Sequence, residues 1–190
     1  MVEKKHVAWF AVRWPSYLAP ALFERPAGAA RSPQSCLRVD TINPPGNEAA
    51  SVHFFKKVFD AEGISYDTAE SAPSRGNIWG RLEGGDQPAL MLLHHMDVVP
   101  ANTASWLADP LSGEIKDGYV YGHGALETTS SGILHLAAFA ALHRSKTPLN
   151  RDVTVMATAD EEAGGVLNVG WLVKKRPELF ERGVCQQRSR

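Results

Sequence analysis

Two short apolar runs constrain the fold of this 190-residue chain more than any other feature of its sequence. The runs ALMLLH (89–94) and DVTVMAT (152–158) have the length of single strands, and each is almost continuously apolar. A strand with one solvated face alternates apolar and polar residues, so an unbroken apolar run predicts a strand that is covered on both faces. The sequence therefore predicts a sheet with helices packed on it.

Helical patterns alternate with strand patterns around these two runs. A helix over 48–62 is indicated by apolar residues at helical spacing and by Gly63, which is a typical stop signal. The other predicted elements are strands over 77–82 and 89–94, a hairpin turning at Asp117-Gly118, a helix from Ser130 or Ser131 to Arg144, a strand over 152–158 and a helix over 166–180. This order predicts an α/β fold, a layered mixed sheet flanked by helices.

The pattern divides the chain into three parts. Residues 1–36 are rich in Pro, Ala and Arg without a sustained period, which predicts an irregular N-terminal segment. Residues 37–180 carry the regular patterns and are long enough for one domain with its own core. Residues 181–190 end in CQQRSR, which predicts a polar, basic tail without a strand.

Composition excludes several classes of function. A net charge of −1 gives no indication of a nucleic-acid partner or of a membrane surface, and no apolar run approaches the length of a membrane span. Arg13 and Pro15 interrupt the mildly apolar run that follows the basic N-terminus, which argues against a secretory signal. The 2 cysteines are too few for a disulfide framework, so the expected location is the cytoplasm.

The first chemically informative motif is His94-His95-Met96-Asp97, where the run over 89–94 ends. Residues two apart in an extended segment point to the same side, so the side chains of His95 and Asp97 can meet. A carboxylate that accepts the second ring N–H of a metal-bound imidazole fixes the orientation of that imidazole. The alternative is a solvated turn in which the side chains of His95 and Asp97 both face water. The neighbouring His94, and His123 further along the chain, are expected to be hydrogen-bonded or exposed imidazoles.

Two further motifs place carboxylates at comparable positions. The glycine-framed turn GHGALE delivers Glu127 just ahead of a predicted helix, although an acid in the first turn of a helix is also an ordinary dipole effect. Asp160-Glu161-Glu162 follow the run over 152–158, where the alternative is a solvated acidic loop. Together with His95 these groups form a set of imidazole and carboxylates without cysteine, which favours zinc, cobalt or manganese.

At this point the motifs resemble a known family. HMDVVPA, the W-x-x-DP of residues 106–110, SGEIKDGYVYGHGALE and TADEEAGG follow one another, with VDTINPPGNE upstream. They are similar to the zinc metallopeptidases that include aminoacylase, carboxypeptidase G, acetylornithine deacetylase and succinyl-diaminopimelate desuccinylase. The resemblance covers about residues 37–180. It implies an α/β catalytic domain that members usually interrupt with a smaller domain, through which they form homodimers.

The resemblance also implies roles for individual residues. His95 matches a ligand of one metal, Asp97 matches the carboxylate that holds that imidazole, and Glu127 stands where the family has an acid bridging two metals. Glu161 matches the general base and Glu162 a ligand of the other metal. The implied reaction is hydrolysis of amide bonds in N-acyl amino acids or small peptides by two zinc ions.

The chain departs from the family pattern at three places. The bridging acid is normally Asp, whereas Glu127 is one methylene longer, and Thr128-Thr129 stand where a lysine is usual. A fourth acidic ligand, a distant fifth histidine ligand and the dimerisation domain have no counterpart in this sequence. On this count the chain resembles the N-terminal part of the catalytic domain, and truncation or frame disruption at either end is the expected history.

Three interpretations remain open from the sequence. The first is a metal-dependent hydrolase by descent, whose activity in this 190-residue form is uncertain. The second is a non-catalytic remnant that binds metal weakly or associates with another chain. The third is a hydrolase with a single metal held by His95, Glu162 and water, since a catalytic zinc site keeps one coordination position for water.

Overall fold

The computed structural model describes residues 11–13, 33–181 and 183–186. Its helices are α1 (Pro33–Leu37), α2 (Glu48–Glu62), α3 (Ser130–Ser145) and α4 (Val169–Lys175). Its strands are β1 (Ala11–Arg13), β2 (Tyr66–Glu70), β3 (Gly76–Leu82), β4 (Gln87–His95), β5 (Glu114–Lys116), β6 (Tyr119–Tyr121), β7 (Arg151–Thr158) and β8 (Gly183–Gln186). Short 3₁₀ turns at Thr103–Ser105 and Pro177–Leu179 and a π-helical turn at Ala125–Thr129 connect them.

The main sheet has five strands in the order β2-β3-β7-β4-β8. β2 and β3 pair antiparallel, as do β3 and β7, whereas β4 is parallel to both β7 and β8. A separate three-stranded sheet has the order β1-β6-β5, with its hairpin turning at Asp117-Gly118 as expected. The predicted fold class, a layered mixed sheet flanked by helices, is confirmed.

Helices cover both faces of the main sheet. The residues of β7 alternate between the faces, so that Val153 and Val155 join the larger core cluster and Met156 joins the smaller one. The larger cluster packs α2 and α3 on one face, and the smaller one includes Leu172 of α4 on the other. Burial on both sides explains why the two central strands are apolar without interruption.

Helix α2 ends where its sequence predicts. Gly63 adopts a left-handed conformation with φ 67°, and its N–H group points to the carbonyl groups of Asp60 and Phe59. Glycine enters that region without the steric cost that a side chain would add, so it closes the helix. Within the described residues no helix combines the length and apolarity that crossing a membrane requires.

Two elements inside the domain differ from expectation. β2 was not predicted, because YDTAE has little apolar pattern, and the strand is an edge strand with mostly exposed residues. The last helix begins at Val169 rather than at 166, since Gly164 and Gly165 hold φ values of 103° and 71° and Asn168 caps the helix by accepting from the Gly170 N–H. A 3₁₀ turn replaces its final residues.

The ends of the chain also carry elements that the sequence did not predict. β1 and α1 fall inside the segment expected to be irregular, whose other residues lie outside the described part. The expectation of a tail without a strand is wrong for Gly183–Gln186, which pairs parallel with residues 89–92 of β4. The physical reason is backbone pairing, which satisfies an otherwise open edge of β4 whatever the polarity of the tail.

Phe139 tests the packing of α3 on the sheet. Its ring is 0% exposed and meets the ring of Phe59 at a centroid distance of 6.3 Å, whereas Leu134 on the same helix is 46% exposed. We expect Phe139→Ala to lower the free energy of unfolding by about 3–5 kcal/mol, because it deletes buried surface and leaves a cavity. Leu134→Ala, the matched control, should change it by less than about 0.5 kcal/mol in the same urea titration. Equal losses in both variants would contradict this packing.

His94 does not match its expected environment. Its side chain is 4% exposed, and neither ring nitrogen has a hydrogen-bond partner among the described residues. The ring packs between Phe55 and His135, at centroid distances of 5.4 and 6.1 Å, and against Gly132, where a Cβ would come within 2.4 Å of the imidazole. The expectation of a hydrogen-bonded or exposed imidazole is therefore wrong, because the apolar contacts of α2 and α3 close over the strand.

Burial lowers the pKa of His94 to about 3, with the nearby His135 and His95 adding to the effect. The pKa of His94 is lower in the folded chain than in the unfolded chain. As the pH falls below about 6.5, His94 therefore takes up a proton in the unfolded chain but stays neutral in the folded chain, which lowers the free energy of unfolding. We expect His94→Phe to make the acid-side loss of unfolding free energy less steep, measured by urea titration at about pH 7 and about pH 4.5. Leu134→Ala, which replaces an exposed residue that carries no titratable group, should leave the pH dependence as in the wild type. An unchanged slope in His94→Phe would show that this imidazole does not oppose folding in acid.

Candidate metal centre

The candidate site lies where the adjacent parallel strands β4 and β7 end. His95 pairs with Thr158 at the last register position of both strands, and the Met96 N–H donates to the Thr158 carbonyl at 2.8 Å. The segments that follow each strand therefore leave the sheet side by side at one edge. Carboxyl ends of parallel strands are the usual ligand positions of α/β folds.

Asp97 holds the His95 ring by one nitrogen. His95 Nδ1 lies 3.0 Å from the backbone oxygen of Asp97 and 3.3 Å from its Oδ1, so the ring proton belongs on Nδ1. The lone pair of the neutral ring is then on Nε2, which lies 3.8 Å from Glu161 Oε2. Burial alone would lower the pKa of His95, but the hydrogen bond to Asp97 and the charges of Asp97, Glu161 and Glu162 raise it above its usual value.

Asp97 also holds the loop that carries the two glutamates. The residue is 1% exposed, and its carboxylate accepts from the N–H groups of Glu161 at 3.1 Å and Glu162 at 2.9 Å. Burial alone would raise the pKa of Asp97, yet hydrogen bonds from His95, Asn43 and these two amides hold it below the usual range. Asp97 thus remains a carboxylate that joins the ends of both strands.

Glu127 reaches the site from the π-helical turn ahead of α3. Its backbone is extended inside that turn, at φ −124° and ψ 112°. Thr128 anchors the turn to β4, since its hydroxyl donates to the His95 carbonyl at 2.8 Å. Gly124 is required at the start of the turn, because its φ is 74° and a Cβ there would lie 2.7 Å from a methyl group of Val98.

These side chains line one cavity of about 460 Å³. Its walls include His95, Glu127, Glu161 and Glu162, and one ligand atom each from His95, Glu161 and Glu162 lie within 4.8 Å of one another. The exposed carboxylate of Glu127 lies on the same wall but outside that tight group. The structure therefore brings His95, Glu161 and Glu162 together, with Asp97 bound to the His95 ring, whereas Glu127 lines the cavity without joining their group.

The donor set fits a divalent cation. An imidazole whose Nε2 faces two carboxylates, without a thiol, suits zinc, cobalt or manganese. Carboxylates held this close repel one another, and a cation among them relieves the repulsion. The Asp97 contact also fixes the tautomer that a metal-bound imidazole needs.

Sequence reasoning missed a buried group behind the site. Arg75, Asn43 and Glu48 are 5%, 4% and 0% exposed, and all three connect to Asp160. Asp160 belongs to the acidic triplet, but its side chain turns away from the cavity toward Arg75. Asn43 lies in the motif VDTINPPGNE, which belongs to the family resemblance but gave no role to this residue, and nothing around Arg75 in the sequence marked it.

His123, the other imidazole beside the cavity, is hydrogen-bonded as expected. Its Nε2 lies 2.5 Å from the Val99 carbonyl oxygen, and its ring meets Trp106 edge to face at 5.4 Å. Burial lowers the pKa of His123, which the carbonyl contact opposes. His123 therefore packs the wall of the cavity together with Trp106.

Comparison with known proteins places these features in a family. The sequence profile of peptidase family M20/M25/M40 matches residues 91–187. The chain is 39% identical over 102 residues to the cysteinylglycine-S-conjugate dipeptidase of Corynebacterium striatum, covering 53% of this chain and 22% of the relative. It is 30% identical over 177 residues to the succinyl-diaminopimelate desuccinylase of Methylobacterium radiotolerans, covering 87% of this chain and 43% of the relative.

Solved structures show the same fold. An M20 family metallo-carboxypeptidase from Sulfolobus solfataricus superposes with a TM-score of 0.70 and 18% sequence identity, over 83% of this chain and 36% of that chain. The present chain therefore spans less than half the length of the relatives that it matches.

Replacing Asp97 tests the junction between the two strand ends. We expect Asp97→Asn to lower the free energy of unfolding by about 1–3 kcal/mol. The asparagine NH₂ group would have to face one of the N–H groups that now donate to the carboxylate, and that hydrogen bond would be lost. Urea titration in the presence of a chelator excludes any contribution from bound metal. Asp86→Asn, an exposed control, should stay within about 0.5 kcal/mol of the wild type. Equal stability of the two variants would contradict the role of Asp97 in joining the segments.

Proposed function

Because this chain belongs to peptidase family M20/M25/M40, we propose that it takes part in metal-dependent hydrolysis of amide bonds in N-acyl amino acids or small peptides. The observation that carries the proposal is the group formed by His95, Glu161 and Glu162, whose ligand atoms lie within 4.8 Å of one another on the wall of a cavity. A cavity of about 460 Å³ has the size of a small-molecule site. The functions of the relatives, a dipeptidase and a desuccinylase, agree with a substrate of that size.

The metal would be zinc, with cobalt or manganese as alternatives. His95, through Nε2, would hold one ion, Glu162, through its carboxylate, would hold the other, and Glu127 would offer its carboxylate to both. When bound, such a cation polarises a scissile carbonyl group and makes water more acidic. Glu127 has a longer side chain than Asp, so its backbone must stand further back for the carboxylate to occupy the same position.

Glu161 would be the general base. Its Oε2 lies 3.8 Å from His95 Nε2 on the lining of the cavity, so it would be within reach of a water held by a metal at that nitrogen. This carboxylate oxygen would accept the proton of the water and return it to the leaving amine. Asp97 would contribute by fixing the His95 tautomer and by holding the backbone of Glu161 and Glu162.

The general base is tested by Glu161→Gln. We expect hydrolysis of a dipeptide or an N-acyl amino acid by the zinc-loaded chain to fall by about 10²–10⁴-fold, because glutamine cannot accept the proton. Zn²⁺ affinity, measured by competition with a chromophoric chelator, should change little. The exposed Glu83, replaced by Gln, should leave turnover and affinity unchanged.

The outcomes separate the interpretations that the sequence left open. Wild-type turnover in Glu161→Gln would remove this residue as the base. A wild-type chain that binds Zn²⁺ without hydrolysing any of these substrates would refute catalysis and favour the non-catalytic alternative. One bound ion with turnover would favour the single-metal hydrolase, and two bound ions would favour the co-catalytic form.

A further inference from the structure

Arg75 is a buried cation on the far side of Asp97 from His95. Its side chain is 6% exposed, and its guanidinium group contacts acids on two sides, Glu48 Oε2 at 3.3 Å and Asp160 Oδ1 at 2.5 Å. Its Nη1 donates to the Pro45 carbonyl at 2.6 Å and to Asn43 Oδ1 at 3.2 Å. The guanidinium plane is therefore fixed by four neighbours, and one of its N–H groups points at the Asn43 amide.

Asn43 connects this guanidinium group to Asp97. Its Oδ1 accepts from Arg75, and its Nδ2 donates to Asp97 Oδ2 at 2.8 Å. The reverse orientation would turn the NH₂ group toward an arginine that only donates and the oxygen toward a carboxylate that only accepts. Arg75 thus selects the one orientation in which Asn43 presents a donor to Asp97.

The backbone around Asn43 is also tied to the strand end. Its N–H donates to the Val98 carbonyl at 2.8 Å, and the Thr41 hydroxyl donates to the Met96 carbonyl at 2.8 Å. Residues 41–43 therefore lie beside residues 96–98 as an additional extended segment. This arrangement holds the Asn43 side chain at a fixed distance from the Asp97 carboxylate.

Gly46 leaves the space through which Arg75 reaches Asn43. A Cβ at Gly46 would lie 1.3 Å from Arg75 Nη1, and the residue has φ 80°. Both observations require glycine at this position. The glycine turn at Gly46 and the buried guanidinium group of Arg75 therefore lie against each other behind the candidate metal centre.

We propose that Asn43 and Arg75 are positioning residues of the metal centre, which orient Asp97 and, through it, the His95 ring and the backbone of Glu161 and Glu162. The inference rests on the proposed function, because it assumes that His95 and Glu162 bind a metal. Hydrogen bonds beyond the direct ligands orient those ligands, and their loss commonly weakens metal binding by about 10–100-fold.

Zinc affinity of the full 190-residue chain tests the proposal, because it reports the geometry of the ligands without requiring turnover. We expect Asn43→Leu, which has nearly the same shape but no donor, to raise the Kd for Zn²⁺ by about 10–100-fold. Arg75→Lys keeps a positive charge beside Glu48 and Asp160 but loses the fork that orients Asn43, so it should raise the Kd by a smaller factor. Visible absorption of the Co²⁺-loaded variants should change with the coordination geometry.

A double-mutant cycle separates positioning from general destabilisation. In an Asp97→Ala background, Asn43→Leu should cause no further loss of affinity, because the partner through which Asn43 acts is gone. The control is Arg81→Met, which removes an ion pair with the buried Asp152 at the other end of β7. It should lower the unfolding free energy while leaving the Kd and the Co²⁺ spectrum unchanged.

The outcomes distinguish this inference from the proposed function. Folded Asn43→Leu and Arg75→Lys variants with the wild-type Kd and Co²⁺ spectrum would overturn the inference alone. Additive losses in the double-mutant cycle would overturn it as well. A wild-type chain that binds no Zn²⁺ would overturn both proposals, whereas weakened binding in Asn43→Leu by a chain that hydrolyses nothing would support the inference and refute catalysis.

Discussion

The buried carboxylate of Asp97 is the interaction on which the rest of the site depends. Two strands that run parallel end at the same edge, but nothing in a sheet fixes the segments that follow them. Asp97 lies on the first of these segments and accepts the backbone N–H groups of Glu161 and Glu162 on the second. The same carboxylate faces His95 Nδ1. One buried acid therefore determines where an imidazole and two carboxylates lie relative to one another.

The features that the sequence predicts well are those with a strong local pattern. The uninterrupted apolar runs of β4 and β7 indicated central strands, Gly63 marked the end of α2, and the Asp117-Gly118 turn marked the small hairpin. The position of functional groups at strand ends followed from the topology that those runs imply. These signals are encoded within a few neighbouring residues, so they can be seen without coordinates.

The features that the sequence did not reveal depend on contacts between distant residues. Asn43 and Asp97 are 54 positions apart, and Arg75 and Asp160 are 85 positions apart, so no local pattern joins them. β2 and β8 have weak strand patterns and form because neighbouring strands offer backbone partners. His94 was expected to be a hydrogen-bonded or exposed imidazole, yet adjacent residues of a strand point to opposite faces, and helices packed on the sheet enclose its ring.

The charges around Asp97 argue for a functional reason behind this arrangement. Asp97, Asp160 and Glu48 are buried acids, and the buried guanidinium group of Arg75 lies directly against two of them. Burial raises the pKa of Glu48, although hydrogen bonds and Arg75 oppose the shift. Buried ion pairs contribute little net stability compared with well-packed apolar residues, because desolvation offsets their attraction.

Such a cluster is better explained by orientation than by stability. A hydrophobic substitute for Arg75 and its partners could pack this interior, but it would leave the Asp97 carboxylate without the donor that Asn43 presents to it. A cation bound at His95 would add positive charge near these three acids, which the single guanidinium group of Arg75 does not balance. A cation that binds the folded arrangement more tightly than the unfolded chain would also contribute to the folding free energy of the chain. Metal binding and the stability of the strand ends would thus both depend on the same buried carboxylate.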